Sequence, residues 1–118
     1  MGYESRLYVV EKSSLFDERY NKRWAEVVAV FDLCKCDSVT SQFRDYPATD
    51  CFITIGATDV EKDLYGKPLN EIPIKDAIKI LRKAAKTDTY RRYKPCIALL
   101  NGFDLSQWGD LVVLNYGH

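Results

Sequence analysis

A chain of 118 residues with no net charge is long enough for one core and too short for two. Hydrophobic residues at 47% against 29% charged exclude a disordered segment, and no apolar run reaches the roughly 20 residues that span a bilayer. The start Met1-Gly2-Tyr3-Glu4-Ser5-Arg6 lacks the basic start and apolar run of a signal peptide. Arg6 stands where a myristoylation site needs Ser or Thr, so a cytoplasmic protein without a membrane partner is expected.

The elements follow in chain order. Tyr3–Glu11 reads as a first strand, with Leu7 and Val9 on one face and Tyr8 and Val10 on the other. Ser13–Lys22 is polar and reads as a loop. Trp24–Cys36 is a long β-rich run. Ala25, Val27, Ala29, Phe31 and Leu33 form its uniform face and so the expected core side. Trp24, Glu26, Val28, Val30, Asp32 and Cys34 form a mixed face. That mixed face around Trp24 would suit a homodimer or another partner if the helices leave it open.

Asp37–Thr49 carries Ser, Thr, Asp and Pro47 and reads as a long loop, Cys51–Ile55 as a strand, and Val60–Tyr65 as a short hairpin arm. A helix opens at Pro73 and Ile74, where proline suits the first turn. Ile74, Ala77, Ile78, Leu81, Ala84 and Ala85 share its apolar face. Thr87-Asp88-Thr89 ends it. Pro95 opens a shorter helix to about Asn101, with Ile97 and Leu100 inward and Gly102 as the stop. Asp104 suits a cap for one more turn, Leu105–Trp108, before a last strand, Leu111–Tyr116. The expectation is one α+β domain over residues 1–118: a mostly antiparallel sheet of four to five strands with two helices packed on one face.

No catalytic set emerges. Cys34 and Cys36 would share a strand face and could chelate a metal with Cys51 or Cys96, but the spacing is not that of a zinc site. Four reduced thiols packed as small apolar side chains are the stronger reading. His118 is the only histidine and the last residue, where order is usually poor. Glu26 and Asp32 lie about 20 Å apart on an extended strand, too far for a paired-carboxylate hydrolase. Asp59, Glu61 and Asp63 lack the glycine and terminal glutamate of a calcium loop and read as a solvated turn. No enzyme, metal or cofactor is expected.

Charge is where the sequence is uneven. From Lys75 to Lys94 there are eight Lys and Arg against two Asp, a net +6, so the remainder carries −6. Lys75, Lys79, Arg82 and Lys86 fall within about 60° on a helical wheel, with Lys83 adjoining, opposite the apolar face. Tyr90, Arg91, Arg92 and Tyr93 follow, adding rings for stacking and guanidiniums for phosphate or carboxylate. These nine residues are the expected partner-binding site. The alternative is a solvated helix face with its cations near the C-terminus.

The stretches Gly2–Val10, Trp24–Val28, Tyr65–Leu69 and Trp108–Gly117 together resemble small uncharacterised proteins of bacteriophages and prophages of Gram-positive bacteria. The resemblance transfers no activity and no site residue. It implies a non-enzymatic phage protein in the host cytosol that binds and inhibits a host protein, such as a nucleic-acid-handling defence complex, in the manner of anti-CRISPR proteins. The alternative is a small nucleic-acid-binding module that uses the basic helix 74–86 and the segment 90–94 directly.

Overall fold

The computed structural model describes residues 4–19 and 21–118. Two long strands, β1 (Ser5–Asp17) and β2 (Lys22–Cys34), form an antiparallel ribbon. Helix α1 (Asp37–Arg44) follows. Then come β3 (Cys51–Ile55), β4 (Thr58–Val60), β5 (Asn70–Pro73), α2 (Ile74–Thr87), α3 (Tyr93–Asn101) and β6 (Asp110–Gly117). The six strands make one sheet in the order β4-β3-β2-β1-β6-β5, antiparallel throughout except for β2 with β3. The α+β expectation holds, with six strands and three helices in place of four to five and two.

The differences have physical reasons. The first strand runs on to Asp17 through residues expected to loop, because β2 pairs with it as far as Asp17 against Lys22; its predicted start at Tyr3 lies outside the described residues. Asp37–Arg44 is helical although polar, since Val39, Thr40 and Phe43 suffice to bury one side of two turns. The hairpin arm sits at Thr58–Val60, earlier than expected, because Gly56 takes φ 64 and turns the chain at once. Asp104 accepts from the N–H and hydroxyl of Ser106 and caps a single turn closed by the Gln107 N–H on its carbonyl, which does not extend into a helix.

The uniform face expected for β2 is divided. Val9 pairs with Ala29 and Val10 with Val27, so Val28 is an extra residue, a β-bulge. Ala29, Phe31 and Leu33 therefore join Leu7 and Val9 against the helices, where Ile74, Ala77, Leu81, Tyr93, Cys96 and Leu100 complete the core. Ala25 and Val27 join Tyr8 and Val10 on the opposite face. Directly paired residues point the same way, so Val30, opposite Tyr8, faces away from the helices, whereas Trp24 is on their side.

No helix covers the second core. The sheet curls over it until the β5 edge meets the segment leading into β3. The Thr49 N–H donates to the Leu69 carbonyl at 2.8 Å, and the Glu71 N–H to the Pro47 carbonyl at 2.9 Å. Lys12 clamps this seam. Its side chain is 7% exposed, and its Nζ lies 3.0 Å from both Asp50 and Glu71. Arg23 holds the other oxygen of Asp50 at 2.9 Å, and the Thr49 hydroxyl donates to Glu71 at 2.9 Å. Burial works against the charge on Asp50, but hydrogen bonds from Lys12, Cys51 and Arg23 outweigh it and hold the carboxyl at about 2.

Lys12→Ala would leave Glu71 without its cation and Asp50 with Arg23 alone, and is expected to cost about 1–3 kcal/mol in denaturant unfolding. The acid response has a definite sign. The carboxyl of Asp50 is lowered from 3.8 to about 2, so its contribution is present above about pH 4 and lost as pH falls towards 2. Unfolding curves across that range should show this loss, and Lys12→Ala should shrink it.

Candidate partner-binding surface

Helix α2 docks by Ile74, Ala77 and Leu81, which are buried, with Ile78, Ala84 and Ala85 packed beside them. The opposite side carries Lys75, Lys79, Arg82, Lys83 and Lys86, and all five are exposed. The row spans about 16 Å at 1.5 Å per residue. Among the described residues none of the five has an ion-pair partner, while Arg6, Lys12, Lys22 and Arg23 on the sheet all do. The acids of α2 and its C-cap are engaged elsewhere. Asp76 accepts the Tyr46 hydroxyl at 3.0 Å, and Asp88 accepts the Tyr90 N–H at 3.0 Å.

The segment after α2 divides the expected site. Arg91 and Lys94 are exposed and extend the basic surface. Tyr93 is 1% exposed, within the helix-side core, because the first turn of α3 faces inward. Tyr90 stands edge-on to it and donates its hydroxyl to the Leu33 carbonyl. Arg92 donates to the Asp32 carbonyl at 2.8 Å. Two rings and one guanidinium expected to meet a partner instead fasten α3 to the end of β2. The exposed basic surface therefore reduces to Lys75, Lys79, Arg82, Lys83, Lys86 and Arg91, with Lys94 added.

The four cysteines do not gather into one site. Cys34 ends β2 with φ 54, which turns Cys36 onto α1 and into the helix-side core with Cys96, while Cys51 lies across the sheet. Burial pushes the Cys96 thiol up to about 12 and that of Cys51 up to about 11, and it raises Cys34 and Cys36. Sγ of Cys51 and the carboxylates of Asp50 and Glu71 lie within 4.8 Å of one another, but the Lys12 ammonium already occupies that position. His118 is held in place, contrary to expectation. Its N–H and carbonyl pair with Glu4, and its Nε2 is 3.3 Å from Glu4 and 3.7 Å from Asp32.

The acidic run is also spent locally. Asp59 accepts the Thr54 hydroxyl, Glu61 meets Lys22 at 3.7 Å, and Asp63 accepts the N–H groups of Tyr65 and Lys67. The mixed face proposed for a homodimer does not exist as one surface. Trp24 packs at a tilt against Phe52 and donates to Asp17, and the bulge turns Val30 to the other side of the sheet.

Native iodoacetamide labelling near neutral pH should be slow at Cys36, Cys51 and Cys96, and denaturant should release it. Tyr90→Phe strands the Leu33 carbonyl and should cost about 1–2 kcal/mol. The triple exchange of Lys79, Arg82 and Lys86 to Glu should leave the thermal midpoint nearly unchanged by comparison.

The chain matches no known family model, no curated protein and no solved structure, so this surface is read from its geometry and charge.

Proposed function

We propose that the protein works by binding, gripping an acidic surface of another protein with the exposed face of α2. The observation that supports this is the unpaired row Lys75, Lys79, Arg82, Lys83 and Lys86, in a molecule that pairs its sheet cations. Solvated surface charges cost little, but several like charges on one helix face repel one another at i,i+4 spacing. An acidic partner relieves that repulsion.

An acidic protein patch fits better than nucleic acid. With Tyr93 buried and Tyr90 tied to β2, neither ring that follows α2 is free to stack bases, which is how single-strand binders supplement charge. The cations lie on one convex helix about 16 Å long, and the rest of the chain carries −6, which would repel a polyanion running past the helix. The phage resemblance supplies the setting: a host protein, within a nucleic-acid-handling defence complex, whose action is blocked by occupation of its surface.

The test is a charge swap. Capture from host lysate by the wild-type protein should identify a partner, and the Lys79, Arg82 and Lys86 reversal should lose it. Reversing acidic residues on that partner should restore binding to the reversed helix. Wild-type affinity should fall as salt rises. Undiminished capture by the reversed helix would refute the reading. Tight binding to a labelled duplex, falling steeply with salt, would assign the helix to nucleic acid instead.

A further inference from the structure

The strand order makes β2 look central, yet β3 pairs with it only from Arg23 to Ala25. From Glu26 onward β2 has β1 on one side and, among the described residues, no strand on the other. Such an edge offers a row of unmet N–H and C=O groups to any second strand. The rest of the sheet manages its edges. β4 is three residues long and carries Asp59, and β5 is joined to Pro47 and Thr49. On β2 the carbonyls of Asp32 and Leu33 are taken by Arg92 and Tyr90. Between these caps and Glu26 lies Val27-Val28-Ala29-Val30-Phe31, with no charge and no proline, a composition that favours strand pairing. Val30 is 49% exposed there.

We infer that this edge of β2 is a dimerisation edge, occupied by the same edge of a second copy of the chain in an antiparallel two-fold pairing. Two features of the chain favour a second copy. It has zero net charge, so copies do not repel at long range, and a two-fold contact needs only a self-complementary patch. Charge also selects the register. A two-fold centred on Ala29 would set Glu26 against Asp32 of the other copy, a like-charge pair that opposes pairing. Centring it on Val30 sets Val30 on Val30 and Ala29 on Phe31, with no acid facing an acid. The bulge at Val28 and the caps at Asp32 and Leu33 keep the ladder short, so the dimer is weak and concentration-dependent. It stands whatever α2 grips, and it would present two basic helices on one particle.

Sedimentation velocity over a wide range of concentration tests it. The wild-type protein should pass from monomer to dimer. Val30→Lys should remain monomeric at the same concentrations with an unchanged circular dichroism spectrum, and Phe16→Lys, at the exposed ribbon tip, should dimerise like wild type. Should Val30→Lys fail to fold, amide exchange of the wild type decides: protection from Ala29 to Phe31 should rise with concentration. A wild type that stays monomeric throughout, a dimer that survives Val30→Lys, or one lost in Phe16→Lys overturns the inference.

Discussion

The β1–β2 ribbon serves two cores at once, and it does so because, between Val9 and Val10, β2 holds one residue more than β1 can match. An unbroken ribbon of 13-residue strands would give each face one continuous set of side chains, since the period is two. The extra residue at Val28 exchanges the faces midway. One half of β2 then packs on the helices and the other half on the curled sheet. The same bulge adds local twist, which suits a sheet that must bring its β5 edge round to the segment before β3. The seam between them carries the buried ammonium of Lys12. That arrangement demands charge balance, because a lone buried cation would be far more costly than a paired one.

The position of α2 follows from this frame. Its first residue continues directly from β5, so closure of the seam fixes where the helix starts and which way it points. Its apolar side is then committed to the sheet, and its cations have nowhere to go but solvent. The connector behind it is committed too, through Tyr90 and Arg92 to the end of β2. The basic row is thus presented on a helix held at both ends, a rigid mount for residues that have no ion-pair partner among the described residues.

The sequence made some of this legible. The apolar spacing from Ile74 to Ala85 was enough to read α2 and its basic side, because helical periodicity survives whatever the helix packs against. The last strand was equally plain in Leu111–Tyr116. The bulge was not, since nothing in Val27-Val28-Ala29 marks which valine is surplus until β1 is laid beside it. α1 was hidden by Ser38, Ser41 and Gln42, whose types favour turns, and β5 by Asn70 and Pro73, which are uncommon in strands. In the site, the lysines of α2 could be placed by periodicity alone. Tyr90, Arg92 and Tyr93 could not, because a ring or guanidinium beside a helix end has the same sequence signature whether it faces a partner or the core.

The pairing of β6 has a kinetic consequence. This strand lies between β1 and β5, with Ser5 against Gly117 and Asn70 against Asn115, so the sheet is completed across nearly the whole sequence. Loop-closure entropy must be met before such distant contacts form. The β1–β2 hairpin, whose partners are close in sequence around its turn, can assemble early. The seam and the docking of α2 wait for β6 and β5. During that interval the apolar residues meant for the helices and for the curl are both open to solvent, and the uncharged stretch of β2 is bare on its outer side. Such long-range closure is expected to slow refolding and to leave the refolding chain prone to aggregation.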